Sequence, residues 1–507
     1  MTGDAPSHSV QPDLVQGVPA AEVPEGGMLV GRVGEEEVLV ARIGGELFAV
    51  GAQCTHYHGP LGEGLIVGDT VRCPWHHARF CLRTGKALAA PAIDPLARWT
   101  VHETDGVVRV GSAAAEAAPK PARRPSGGPR RVVVVGGGAA GFAAVEMLRR
   151  EGFDGAVTLL SSDADAPYDR PNCSKDYLAG QAPAEWMPLR DAAWYADNDV
   201  DLQLNAEARG LDLEARTVSL TDGRSFGYDA LLIATGAEPV RLPIEGAARP
   251  DVFVLRSLRD ADAIVAAAQK ARCVAIAGAS FIGLEAAAAL RSRGLDVHVA
   301  APELVPFARV MGEEIGAWVR GLHEQAGVIF HLGRAVRGWG EGGLTLDAGE
   351  TIAADFLVLG AGVRPRTQLA EDAGLMHDRG ILVDGRLRTS AAGVYAAGDV
   401  ARFPDARTGE AIRVEHWVHA ERQGQHVARM ILGDDAPFTA PPYFWSAHQD
   451  ATIRYVGHAE TFDPPMLDGS LERRDAEVRL SHAGRLMALA TVGRDLRSLE
   501  TGVELER

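Results

Sequence analysis

The stretch Val132-Val133-Val134-Val135-Gly136-Gly137-Gly138-Ala139-Ala140-Gly141-Phe142-Ala143-Ala144 decides the fold. A β-branched run feeds a glycine-rich turn and then helix formers, so the segment reads as strand, loop and helix. Gly136, Gly138 and Gly141 supply, in turn, a tight turn, a close backbone approach to a pyrophosphate and close helix–strand packing. The helix N-terminus adds oriented N–H groups for the phosphates. A purely structural turn has the same composition, so the context of the motif carries the argument.

That context includes a second copy. Cys273-Val274-Ala275-Ile276-Ala277-Gly278-Ala279-Ser280-Phe281-Ile282-Gly283-Leu284-Glu285 repeats the strand–loop–helix plan, with Gly278 and Gly283 in the outer glycine places and Ser280 in the middle one. A second strand follows each helix, Ala156-Val157-Thr158-Leu159-Leu160 in the first unit and Asp296-Val297-His298-Val299 in the second. Two such units suggest two bound dinucleotides.

Working outward, residues 17–111 alternate short β-rich runs, such as Glu37-Val38-Leu39-Val40-Ala41-Arg42-Ile43, with glycine turns, and predict a small all-β domain. Residues 112–131 are Ala, Pro, Lys, Arg, Ser and Gly with no hydrophobic period, a linker that leaves the position of the β-domain free. The two nucleotide units then occupy 132–250 with 354–435, and 251–353. From 436 to 507 several strand-like runs predict a small α+β domain. Residues 1–16 are polar and read as a disordered tail.

Hydrophobic content of 46% and charged content of 23% are ordinary for a soluble globular chain. A net charge of -17 argues against nucleic acid or an anionic membrane as partner. Five cysteines in 507 residues are too few for a disulfide scaffold and suit a reducing cytoplasm. No signal peptide and no apolar run long enough for a membrane span is read. Monomer and homodimer are both compatible with the sequence.

The β-domain carries Cys54-Thr55-His56 and Cys73-Pro74-Trp75-His76-His77, one thiolate and one imidazole on each of two loops. Zinc takes such ligands, but zinc fingers usually pair Cys with Cys and His with His, and here the types interleave. The arrangement resembles a Rieske [2Fe-2S] domain, in which two cysteines hold one iron and two histidines the other. The resemblance implies Cys54, His56, Cys73 and His76 as cluster ligands, with His58 and His77 as loop residues. Rieske domains of respiratory complexes usually brace these loops with an extra cysteine pair, whereas Gly59 and Trp75 stand in those places here. That departure resembles the soluble, ferredoxin-like or oxygenase-like branch and implies a potential toward the low end of the Rieske range, about −150 mV upward. Cys81 reads as a buried strand residue.

The remaining motifs are Ala234-Thr235-Gly236 and Ala396-Ala397-Gly398-Asp399, each after a strand-like run, with Tyr168-Asp169-Arg170-Pro171-Asn172-Cys173-Ser174-Lys175 and Glu415-His416-Trp417. Together they resemble the ferredoxin-reductase and apoptosis-inducing-factor-like flavoproteins, in their Rieske-fused form. The resemblance implies that the first cradle, with Arg170, Thr235, Gly236 and Gly398, holds FAD and the second holds NADH. It further implies that Asp399 bonds the ribityl chain, that Lys175 and Glu285 pair near the flavin N5, and that Trp417 and Trp445 wall the flavin. A cation there stabilises the anionic reduced ring, and a carboxylate orients the cation. The adenosine ribose position falls at Ser162, so Asp163 is the substitute candidate, and Glu303 is its counterpart in the second unit. With no arginine beside Glu303, NADH is favoured over NADPH.

Cys173 resembles the single redox cysteine of flavin-dependent NADH oxidases, peroxidases and coenzyme A disulfide reductases, although a small apolar filler is the simpler reading. The expected architecture is therefore multidomain: an all-β Rieske domain, two α/β Rossmann-like domains for FAD and NAD, and a small α+β domain. The expected function is transfer of electrons from NADH through FAD and the [2Fe-2S] cluster to an external acceptor, a ferredoxin, oxygenase component, cytochrome or small molecule. A slowly reduced redox sensor and a Cys173-dependent thiol or peroxide reductase are the alternatives.

Overall fold

The computed structural model describes residues 11–114 and 127–506. Residues 1–10 and 115–126, which hold most of the expected tail and linker, lie outside the described residues, as does 507. The chain divides into two compact units, Met1–Pro121 together with Asp495–Leu505, and Ala122–Arg494.

Among the described residues the first unit is all-β apart from short turns and one α-helix. A six-stranded antiparallel sheet runs in the order Val18–Pro19, Val107–Ala113, Arg98–Thr104, Glu46–Gly51, Glu36–Ile43, Met28–Val33. A four-stranded sheet, Leu65–Val67, Thr70–Arg72, Arg79–Cys81, Ala87–Ala89, carries the second Cys–His loop between its middle strands. Leu39, Val50, Leu61, Val71 and Phe80 form the core under the two loops. Cys81 lies on a strand as expected, though only half-buried.

Two boundaries differ from the sequence reading here. Residues 11–16 are not a free tail: Leu14 is fully buried, donates its amide to Arg32 O (2.9 Å) and accepts from Val110 N (2.9 Å). A single apolar side chain in a polar stretch is enough to seat it in the sheet. The helix Asp495–Leu505 was expected in the last domain, but it belongs to this unit.

The second unit contains two parallel sheets of one design. The first runs Val200–Gln203, Ala156–Leu160, Arg131–Val135, Ala230–Ile233, Val394–Ala396, and the second Val252–Val254, Phe356–Leu359, Cys273–Ala277, Asp296–Ala301, Val328–Leu332. The central strands are buried on both faces, which is why Val132–Val135 is a continuous apolar run and not an alternating one. Phe356–Leu359 pairs with Cys273–Ala277, so the second nucleotide domain extends past the expected limit at 353. A short buried run does not by itself declare which sheet it joins.

The duplication reaches the strand starts. Asp229 Oδ2 accepts the amides of Arg130 and Arg131, both at 2.9 Å, and Asp355 Oδ2 accepts those of Arg272 (2.7 Å) and Cys273 (2.9 Å). Each carboxylate closes the beginning of a glycine-loop strand against its neighbour. The last sheet is antiparallel, Tyr443–His448, Ala451–Gly457, Arg485–Val492, Asp475–His482, Met466–Ser470, and shares one core with the second parallel sheet.

Candidate functional site

The first Cys–His loop leaves the strand Glu46–Gly51, and the second links Thr70–Arg72 to Arg79–Cys81. These hairpins bring the four expected ligands together. Cys54 and Cys73 are 2% and 1% exposed and hydrogen-bonded thiol to thiol, while His56 Nδ1 lies 3.2 Å from His76 Nδ1. The bond to Cys73 and burial hold the Cys54 thiol well above its usual range, and burial lowers His56 to about 4, so its imidazole is neutral and able to ligate.

The donors form a sulfur pair and a nitrogen pair. Among the described residues no three His, Cys, Asp or Glu side chains converge on one point, as a single tetrahedral metal requires. Two pairs of unlike donors fit a two-iron cluster with cysteines on one iron and histidines on the other.

In the second unit a cavity of about 1220 Å³ is bordered by the first glycine loop and, at the second, by Ser280 and the helix start Phe281–Ile282, while Gly278 and Gly283 stand outside its lining. The loops have the same geometry. Gly136 and Gly278 both sit at φ +117°, and a Cβ on either would collide with the carbonyl that follows the neighbouring strand, Ala234 O or Gly360 O. A Cβ on Gly138 would instead point at the cavity, with Arg170 Nη1 its nearest neighbour at 3.6 Å, so the cradle is open to a phosphate. Ser280 replaces the middle glycine of the second loop and caps its helix, its Oγ accepting Gly283 N at 3.2 Å. The residues present thus fit two dinucleotides.

An ion pair of half-buried Lys175 with buried Glu285 lines the same cavity. Lys175 Nζ donates to Glu285 Oε2 at 2.8 Å and to Pro171 O at 3.4 Å. Glu285, 4% exposed, also accepts Ser174 Oγ on Oε2 (2.6 Å) and Ser446 Oγ on Oε1 (2.7 Å). Three donors from two segments of the chain satisfy this buried carboxylate's hydrogen bonds. Lys175 Nζ stands 5.9 Å from the centre of the Trp445 ring, and Trp417 borders the cavity at the start of its helix.

Asp399 borders the cavity and pairs with Arg256 (2.5 Å), while Thr235 Oγ1 donates to Arg366 O (2.8 Å). Gly236 and Gly398 line the same wall. Asp163 also reaches the cavity, but its Oδ2 is engaged by the Tyr168 hydroxyl (2.9 Å) and lies 3.9 Å from Arg170. Ser162 is the exposed residue at the strand end. Glu303 is exposed just beyond the strand Asp296–Ala301 and is not part of the cavity lining.

Cys173 is also outside that lining. It is 2% exposed, packed in the core with Tyr168, Leu178 and Met187, and burial pushes its thiol up to about 12. A thiolate of lowered pKa, as a redox cysteine requires, is the opposite of this environment.

Ser174, Ser446 and Arg256 were not anticipated. Arg256 had a signal, because it precedes Ser257, whose Ser-x-x-Asp capping box with Asp260 starts a helix at Leu258. The serines had none, since their role exists only once distant segments meet at Glu285.

Two glycine loops of one geometry, with a lysine–glutamate pair on the cavity that the first loop and Ser280 of the second border, define a two-dinucleotide reductase, and the first unit adds an iron–sulfur domain. The chain belongs to the pyridine nucleotide-disulphide oxidoreductase family, whose description matches residues 130–424, and it carries a Rieske [2Fe-2S] domain matched over residues 14–100. It is accordingly an NAD(P)H oxidoreductase that binds FAD, NAD(H) and a [2Fe-2S] cluster. It is 32% identical to apoptosis-inducing factor 3 of Homo sapiens over 91% of this chain and 79% of that protein. It is 36% identical to the ferredoxin reductase component of chlorobenzene dioxygenase of Cupriavidus sp. (strain PS12), over 70% of this chain and 87% of that one. Among solved structures, the covalent putidaredoxin reductase–putidaredoxin complex superposes with a TM-score of 0.71 at 30% identity, covering 74% of this chain and 93% of that chain. Among the described residues no helix is long and apolar enough to cross a membrane.

Proposed function

We propose that this protein is an NADH-dependent reductase that sends electrons through FAD and its own Rieske cluster to an external one-electron acceptor, a small redox protein of the ferredoxin kind. The observation that carries this reading is the ion pair of half-buried Lys175 with buried Glu285, in a cavity bordered by the first glycine loop and by Ser280 of the second. Held there, FAD would supply the chemistry that converts the two-electron hydride of a nicotinamide into single electrons for an acceptor.

The chain's own residues prepare that exchange. Lys175 places a fixed positive charge where the reduced ring carries its negative charge, and Glu285, held by Ser174 and Ser446, fixes the ammonium. Asp399 and Arg256 form the opposite polar wall, where the ribityl hydroxyls would be bonded. Trp417 and Trp445 restrict water at the ring. Glu303, acidic and exposed at the end of its strand, supports NADH over NADPH. The reductase components among the relatives support an external protein acceptor.

The test is an anaerobic titration with NADH followed by absorbance and electron paramagnetic resonance. Bleaching of the flavin together with the reduced-cluster signal is the expected result; a bleached flavin beside a cluster that stays oxidised would defeat it. A second reading, a redox sensor, draws on the match to apoptosis-inducing factor 3 over 91% of the chain, which includes the Rieske region. It predicts slow turnover and a long-lived complex of reduced flavin with NAD.

A further inference from the structure

The two cluster loops follow one plan. In each, the cysteine amide donates to the carbonyl five residues on, Cys54 N to Gly59 O and Cys73 N to Ala78 O, both at 2.9 Å. In each, the amide four residues on returns to the cysteine carbonyl, His58 N to Cys54 O (2.9 Å) and His77 N to Cys73 O (3.1 Å). This closure drives His58 and His77 into the left-handed region, at φ +56° and +59°. A residue with a side chain stays there only when its surroundings hold it.

The surroundings differ between the loops. His58 is exposed, and its loop is tied by Thr55 Oγ1 donating to Asp94 O at 2.8 Å. His77 is 5% exposed, and its Nε2 shares a hydrogen bond of 3.2 Å with Ser498 Oγ. Ser498 is fully buried on the helix Asp495–Leu505, along with Leu499 and Thr501. No disulfide joins the loops, since none of the five cysteines is paired in one. They meet at Gly59, where a Cβ would stand 2.8 Å from Cys73 Sγ and 3.2 Å from the Trp75 ring.

We propose that the helix Asp495–Leu505 is the brace of the His76-bearing loop. Ser498 holds His77 in its left-handed conformation and so sets Cys73 and His76 against Cys54 and His56, the work that a disulfide performs in other Rieske domains. Ser498 is a positioning residue and acts on the cluster only through His77. The proposal depends on the cluster, not on which acceptor receives its electrons.

The test uses the full chain loaded with its cofactors. Three rates are read: iron release to a chelator, hydrogen exchange of the amides of residues 73 and 75–78, and flavin reduction by NADH. Ser498→Ala is expected to speed iron release and loop exchange about fivefold, the worth of one net hydrogen bond, while FAD content and flavin reduction stay unchanged. Ser498→Thr, which keeps the hydroxyl, is expected to restore both rates. A chain ending at Arg494 is expected to lose its iron faster still with its flavin intact. Wild-type iron release and loop exchange in Ser498→Ala overturn the proposal, whatever the truncated chain does. A failure of electron transfer with these rates behaving as expected would count against the proposed function alone.

Discussion

Lys175 and Glu285 are 110 residues apart in sequence and 2.8 Å apart in space, joined where the helix of the second glycine loop meets the segment that follows the first. The pair therefore exists only when both nucleotide domains are folded against one another, and its geometry reports on their assembly as well as on the chemistry. Glu285→Gln, which keeps the volume and removes the charge, is expected to slow flavin reduction by NADH on the order of 10²-fold. Stopped-flow bleaching of the flavin measures this.

Ser446→Ala removes one of three donors to the Glu285 carboxylate. A hydrogen bond to a buried charged group contributes about 1.5–3 kcal/mol, so the variant's unfolding free energy should fall by that amount and its midpoint move to lower denaturant. The same substitution at Ser174 should behave alike. Urea titration of the FAD-loaded protein, monitored by flavin fluorescence, checks both.

Cys173→Ala is expected to leave NADH turnover within about twofold of wild type, since the change trims a small core side chain far less than a large-to-small substitution does. The thiol, pushed up to about 12 by burial, stays protonated through the physiological range, so iodoacetamide at pH 8 should not label it in the folded protein. Rapid labelling of Cys173 would revive the thiol-reductase alternative.

Asp229 supplies a pH dependence. Hydrogen bonds from the Arg131 side chain and from the Arg130 and Arg131 amides lower its carboxyl to about 2 from an ordinary value near 4. Because the folded value is the lower one, its contribution is complete above about pH 4 and is lost as pH falls toward 2. The group is partly exposed, so its worth is discounted to about 1 kcal/mol. Asp229→Asn should lower stability by that amount at pH 7, and the difference from wild type should vanish near pH 2, as thermal melts across that range would show.

Substitution of His76 by alanine removes a nitrogen donor from the cluster pair. The expected product keeps its FAD and its NADH-driven flavin bleaching but lacks the Rieske resonance signal and no longer reduces a protein acceptor. Retained reduction of that acceptor would place electron exit at the flavin.

The parts of this protein that were legible beforehand are those written as local patterns. Each glycine loop needs particular backbone angles within a few residues, so the sequence must carry the glycines in place. The Cys–His loops are legible for the same reason. Glu285 and Lys175 were reachable only through resemblance, and Ser446 not at all, because a serine on a strand has no signature until its partner arrives. The Asp229 and Asp355 clamps sit before apolar runs that drew all the attention, Ala230–Ile233 and Phe356–Leu359. The misplaced limit at 353 and the buried Leu14 share one cause: strand membership is decided by pairing with distant chain, which periodicity does not encode.

The helix Asp495–Leu505 also sets an order of events during synthesis. The cluster loops leave the ribosome early, yet the element that covers His77 is made hundreds of residues later. At translation rates of about 5–20 residues per second the loops wait for on the order of tens of seconds before their unit is whole. Iron loaded in that interval enters a site with one loop unsupported, so durable cluster insertion belongs after this helix has been made and has docked.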